Sequence, residues 1–264
     1  MKIATLNINS INARLDNLSR WLQENQPDVM LLQEIKSVFN NFPFFELQAL
    51  GYQAKISGQK SYNGVAVLSR HKILSCQENL PDFPDENARY IECDVAVGHT
   101  NLTVASVYLP NGNPPYNNPT DHSRFAYKLA WMDAFLKHAE ALRQHNKNVI
   151  LAGDFNVIRS AHDVFNPELF VGNALYNPDV IERLRYLERS GYTDVYRTLY
   201  PDDNGYTFWD YTNASYQNDL GMRIDYIFSS PYFTDRIASC RIDREFRGWD
   251  KSSDHTVLIA DFKD

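Results

Sequence analysis

Apolar runs of strand length recur from one end of this chain to the other, at 2–6, 29–33, 64–69, 89–95, 102–108, 148–152, 224–229 and 256–262, and several stop or start abruptly at a polar side chain. Runs this short, several of them rich in valine and isoleucine, suit the interior of a sheet and fall far below the roughly 20 apolar residues of a membrane span. Helical patterns lie between some of them. From Asn12 to Asn25, Leu15, Leu18, Trp21 and Leu22 recur at three- and four-residue spacing before Pro27 stops the pattern. The segment 123–145 repeats this with Phe125, Leu129, Met132, Phe135, Leu136, Ala139 and Leu142. A third helix is predicted over 178–190, with Gly191 as its terminator. The stretch 109–121, with Pro110, Gly112, Pro114, Pro115 and Pro119, reads as a loop, as does much of 160–177. Strands in hairpin-like series and strands joined by helices together predict a layered α+β sandwich of sheets covered by helices.

No linker, repeat or low-complexity tract divides the 264 residues, so a single domain spanning 1–264 is expected. The start, Met1 to Asn7, shows no signal-peptide hydrophobic region, and a soluble, cytoplasmic protein without membrane attachment is expected. The odd set Cys76, Cys93 and Cys240 suggests neither a disulfide framework nor a zinc cluster, and reduced thiols are predicted. The net charge of −7 argues against gripping nucleic acid by bulk electrostatics alone. It leaves room for a nuclease whose carboxylates hold a divalent cation, because the ion inverts the local field at the substrate.

The polar residues at the run ends are of one chemical kind. Ile3 to Leu6 ends in Asn7, Val29 to Gln33 in Glu34, Val104 to Val107 in Tyr108, and Val149 to Gly153 in Asp154-Phe155-Asn156. Arg223-Ile224-Asp225-Tyr226 and Ser252-Ser253-Asp254-His255 open runs instead. If these ends meet at one rim of the sheets, the polar groups converge. Asp154 and Asn156 project to the same side of an extended backbone, with Phe155 turned to the core. Glu34 follows an apolar strand, a costly place for a carboxylate unless it is paired or metal-bound. Hard oxygen ligands few in number describe a magnesium site, Mg²⁺ with Mn²⁺ as the alternative, and no Cys/His cluster favours zinc. His255 has Asp225 available to fix its tautomer and keep it protonated against a phosphate oxygen. No nucleophile elbow and no Walker loop is present.

These pieces resemble the exonuclease III family of abasic-site (AP) endonucleases, within the endonuclease/exonuclease/phosphatase superfamily, most of all its bacterial exodeoxyribonuclease III-like members. The resemblance runs end to end through Leu6-Asn7-Ile8-Asn9-Ser10-Ile11, Leu32-Gln33-Glu34-Ile35-Lys36, Tyr62-Asn63-Gly64-Val65-Ala66, Tyr108-Leu109-Pro110-Asn111-Gly112, Gly153-Asp154-Phe155-Asn156-Val157, Thr207-Phe208-Trp209-Asp210-Tyr211, Gly221-Met222-Arg223-Ile224-Asp225 and Ser253-Asp254-His255. It implies a DNase I-like four-layer α/β/β/α sandwich with the active site at one rim. It also implies roles: Glu34, with Asn7 and Asp254, binds the divalent metal, Asp154 activates the attacking water, and Asn156 orients it. His255, polarised by Asp225, hydrogen-bonds a phosphate oxygen, and Tyr108 supports the phosphate or leaving group. In a two-metal version Asp154, Asn156 and His255 become ligands of the second ion.

By motif, Phe208, Trp209, Met222, Arg223 and Ile224 match the pocket that receives a sugar lacking its base. Asn63 and Arg89, with Lys36, Arg70, Arg241, Arg244, Arg247 and Lys251, are candidate DNA contacts. Asn111 stands where relatives carry a glutamine, which shortens one substrate-loop contact. The implied activity is metal-dependent hydrolysis of the phosphodiester 5′ to abasic sites in double-stranded DNA, with 3′-5′ exonuclease trimming of damaged 3′ ends, in a monomer needing no protein partner. Two alternatives stand beside it: a phosphoesterase of the superfamily acting on a phosphoinositide, sphingolipid or RNA tail, and a catalytically idle DNA-binding module.

Overall fold

The computed structural model describes residues 1–98, 100–145 and 148–263. Twelve strands, β1 (Lys2–Asn7), β2 (Val29–Gln33), β3 (Gln53–Ser57), β4 (Val65–Ser69), β5 (Ile73–Glu78), β6 (Tyr90–Val97), β7 (Thr100–Tyr108), β8 (Val149–Asp154), β9 (Thr193–Asp194), β10 (Asp225–Ser229), β11 (Ile237–Asp243) and β12 (Val257–Phe262), are seen among the described residues. They form two six-stranded sheets, in the orders β11-β12-β1-β2-β4-β3 and β5-β6-β7-β8-β10-β9. Both are mixed: β1 runs parallel to β2, β7 runs parallel to β8, and the other pairings are antiparallel.

Alternation along the strands builds the layers. Val29 and Leu31 of β2 face Ile150 and Ala152 of β8 in one core between the sheets. Their neighbours Met30 and Leu32 turn to the opposite face, as side chains at successive strand positions must. There they meet Leu18, Trp21 and Leu22 of α1 (Leu15–Asn25), Leu47 of α2 (Phe44–Ala49) and, farther along the chain, Phe246. Val149 and Leu151 pack outward against Trp131, Met132 and Phe135 of α3 (Ser123–His145) and Val180, Leu184 and Leu187 of α4 (Pro178–Arg189). The short helices α5 (Val195–Leu199), α6 (Pro231–Thr234) and α7 (Arg244–Arg247) complete the chain. The result is the four-layer α/β/β/α sandwich of the DNase I-like class, and no helix among the described residues is long and apolar enough to cross a membrane.

The predicted helices form within a few residues of their expected bounds. The edge strands β3, β5, β9 and β11 and the short helices were not legible in the sequence. One expectation is corrected: Cys76 and Cys93 are joined in a disulfide rather than reduced, and Cys240 is the buried free thiol. The two cysteines lie directly opposite one another in the antiparallel β5–β6 pair, a proximity that only the strand register creates.

Candidate active site

The parallel pairs β1–β2 and β7–β8 carry their C-terminal ends to the same rim, one pair in each sheet. Asn7 ends β1, Glu34 follows β2, Tyr108 ends β7 and Asp154 ends β8. The antiparallel partners bring their first residues there. Asp225 opens β10 opposite Asp154, and His255 lies just before β12. Short bridges from Phe208 to Met222 and to His255 stitch the 206–209 segment across the gap between the sheets. Beneath the rim, Gln33 donates from Nε2 to the Ser106 hydroxyl of the facing sheet at 2.9 Å, so a buried polar contact locks the layers together below the site.

Asn7 joins the two halves. Its Nδ2 donates to Glu34 Oε1 and to Asp154 Oδ2, both at 2.9 Å. Tyr108 donates its phenol to Glu34 Oε1 at 2.9 Å, and Lys36 Nζ lies 2.9 Å from Glu34 Oε2. Burial would raise the Glu34 carboxyl, but the Asn7 hydrogen bond and the Lys36 charge outweigh it and keep Glu34 ionised. Burial, with Glu34 and Asp154 nearby, holds the Tyr108 hydroxyl well above its ordinary range, so it remains a donor.

Asp154 is held by Asn7 on one oxygen, while its Oδ1 accepts the Asn156 backbone N–H at 2.9 Å. Asn156 adopts φ 48°, which turns the chain so that its Nδ2 reaches the Leu109 carbonyl at 2.9 Å. Gly153 is required for this approach: a Cβ there would come within 2.0 Å of the Val107 carbonyl oxygen. His255 Nδ1 pairs with Asp225 Oδ2 at 2.8 Å, and its Nε2 lies 3.7 Å from Asp154 Oδ2. Burial pushes Asp154 up, although the nearby imidazolium pulls against it. For His255, burial alone would lower the proton affinity, but Asp225 and Asp154 reverse this and hold it as an imidazolium. The arrangement offers a carboxylate primed to take a proton beside a cationic donor, which is what attack on an anionic centre requires.

A cavity of about 330 Å³ opens over this cluster. Glu34, Tyr108, Asp154, Asn156, Asp254 and His255 form its polar floor, and Phe170, Leu175, Phe208, Met222 and Ile224 form an apolar wall. Asn111, Asn113, Asn173 and Asp210 complete the edge. Asn111 does not reach across the opening but donates to Asn156 Oδ1 at 3.3 Å. Glu34 and Asp254, with Asn7 beside them, supply hard oxygen donors, and among the described residues no group of three His, Cys, Asp or Glu side chains closes round an ion. That donor set fits a cation whose remaining positions go to water and phosphate oxygens.

Three substrate-contact expectations are corrected by the geometry. Trp209 is fully buried, its Nε1 donating to Asp219 Oδ1 at 3.1 Å, and it props the rim from below. Arg223 is also fully buried, its guanidinium paired with Asp163 at 2.6 Å and Asp194 at 2.8 Å, so it anchors the 160–177 loop instead of meeting a ligand. Asn63 is buried and ties two loops through Gln59 and Asn87. Arg89, half-buried, lies over the Tyr108 ring at 4.8 Å, and its expected DNA contact is not contradicted. Sequence reasoning missed Phe170, Asn173 and Leu175, which come from the loop 160–177. Their only local signal was the Asn166-Pro167 start of a short turn, in which the Asn166 side chain accepts from the Glu168 backbone N–H.

Known proteins resemble this chain over its whole length. The model of the Endonuclease/Exonuclease/phosphatase family matches residues 4–255. An exodeoxyribonuclease III of Haemophilus influenzae is 28% identical over 271 residues, covering 100% of both chains. Among solved structures, a 3′-5′ exonuclease of Neisseria meningitidis superposes with TM-score 0.94 at 34% identity over 100% of each chain. An AP endonuclease of Archaeoglobus fulgidus does so with TM-score 0.90 at 29% identity, also over 100% of each chain.

Proposed function

The chain belongs to the endonuclease/exonuclease/phosphatase family, and from that premise we propose that it is a metal-dependent DNA-repair nuclease that cleaves the phosphodiester 5′ to an abasic site and also trims damaged 3′ ends. The observation that carries the reading is the cavity: an apolar wall beside a carboxylate, amide and imidazolium floor, with room for a sugar turned out of the duplex. The names of its relatives, an exodeoxyribonuclease III, a 3′-5′ exonuclease and an AP endonuclease, support both halves of the proposal.

Hydrolysis needs a water held in line with phosphorus and a sink for the charge that accumulates. Asp154 takes the proton of that water, and Asn156, fixed by Leu109, orients it. His255 donates from Nε2 to a non-bridging oxygen while Asp225 holds its ring through Nδ1. Tyr108 offers its phenol to the phosphate or leaving group. Phe170, Phe208, Met222 and Ile224 exclude water from the sugar face. Glu34, Asn7 and Asp254 would hold Mg²⁺ or Mn²⁺, which supplies Lewis-acid neutralisation of the phosphate. The protein acts as a monomer in this reading, with duplex DNA as its partner.

The test is incision of a duplex carrying one tetrahydrofuran abasic analogue. The account expects a nick leaving a 3′-hydroxyl with Mg²⁺ and none with chelator, and Asp154→Asn slowed by about 10³-fold or more. No incision under any divalent ion would contradict the function, and wild-type rates in Asp154→Asn would contradict the mechanism. A phosphoinositide or RNA substrate cleaved in preference to DNA would support the superfamily alternative.

A further inference from the structure

Lys128 is the one fully buried lysine among the described residues, and the chemistry above does not use it. It projects from α3 beneath the cavity edge. Its ammonium donates to three main-chain carbonyls, of Asn156 at 2.7 Å, Asn111 at 3.0 Å and Ala174 at 3.1 Å. These three acceptors consume all the protons an ammonium carries.

Each carbonyl belongs to a different loop, and each loop delivers side chains to the cavity. Asn111 and Asn113 come from the segment after β7, Asn156 from the segment after β8, and Asn173 and Leu175 from the loop before α4. Pairwise contacts also join neighbouring loops, from Asn156 Nδ2 to the Leu109 carbonyl at 2.9 Å, the Ile158 N–H to the Leu175 carbonyl at 2.8 Å, Asn111 to Asn156 at 3.3 Å, Asn113 Nδ2 to Asn173 Oδ1 at 3.2 Å and the Ala174 N–H to Asn113 Oδ1 at 2.9 Å, but Lys128 Nζ reaches all three loops at one atom. Gly112, at φ 86°, clears the path of the lysine stem, because a Cβ there would lie 2.5 Å from Lys128 Cδ. Burying an ammonium is unfavourable unless each of its protons finds an acceptor. An apolar side chain of the same length would fill the space but leave three carbonyls without a donor.

We propose that Lys128 is a positioning residue that clamps these three loops and so fixes Asn156 and the cavity edge relative to Asp154 and His255. The proposal rests on the nuclease reading of the site. Lys128 acts on turnover and not on DNA affinity, because it reaches the substrate only through the loops it holds.

The experiment uses the full chain with Lys128→Met. Steady-state incision of the tetrahydrofuran duplex is measured beside duplex affinity in chelator and amide hydrogen exchange. The expected result is a fall in kcat of about 100-fold, unchanged affinity, and faster exchange in 109–113, 155–158 and 172–176 together. A folded variant with wild-type kcat, or with unaltered exchange in those loops, overturns the proposal, as does a loss confined to thermal stability. If Lys128→Met does not fold, Gly112→Ala displaces the lysine stem and is expected to give the same three changes; full activity there also overturns it. Failure of the wild-type chain to cut would remove the nuclease reading alone, since the joint exchange of three loops is read without any substrate.

Discussion

Asp225 is the main source of the positive charge held on His255. Burial works against the imidazolium, while Asp225 and Asp154 lift its proton affinity to about 10. The folded value therefore lies above the unfolded one, so the stability this ring contributes is complete below about pH 6.5 and is lost as pH rises towards about 10. In Asp225→Asn the leading source of the upward shift is gone, and the ring loses its proton at lower pH. The deficit in kcat/KM relative to wild type should widen as pH rises from about 6 to about 9, read from incision rates across that range. A deficit constant with pH would show that Asp225 acts on geometry alone. Of these residues the sequence exposed the types and spacing, because Asp154-Phe155-Asn156 and Asp254-His255 interrupt apolar runs. It hid the burial of Trp209 and Arg223, since both sit in motifs whose neighbours Phe208, Met222 and Ile224 do line the cavity.

At the scale of the element, the β7–β8 pair is the part of the scaffold on which catalysis leans. Tyr108 and Asp154 sit opposite one another at its end. Gly153 lets the strands close, and Gly153→Ala would drive its Cβ into the Val107 carbonyl. This substitution should destabilise the fold by about 1–3 kcal/mol and displace Asp154, lowering both the melting temperature and the incision rate. A stable variant with normal incision would mean that the strand ends tolerate separation. Central strands such as β1, β2, β7 and β8 were legible because both faces are largely buried and most of their residues are apolar. Edge strand β5 was not: five of its six residues are exposed, and Ser75, Cys76, Gln77 and Glu78 become a strand only because β6 pairs with them. The Cys76–Cys93 disulfide was hidden for the same reason, as the two cysteines meet only through that register.

Across the whole molecule, the sandwich converts sequence distance into proximity. Two sheets, each with a parallel pair ending at the same rim, gather Asn7, Glu34, Asp154, Asp225 and His255 into one cluster of hydrogen bonds and ion pairs. The layers were readable from the alternation of strands and helices. The part of the cavity wall made by Phe170 and Leu175 was not, because they arrive from a loop whose position is set by the buried Arg223–Asp163 pair. In the proposed reaction this cluster binds a divalent cation through Glu34 in order to cleave DNA. This is tested most directly by anomalous scattering from crystals soaked in Mn²⁺. The account predicts a peak in direct contact with the Glu34 carboxylate, absent in Glu34→Ala together with incision. A peak that ignores Glu34, or a Glu34→Ala protein that still binds the ion there and still cuts, would contradict it.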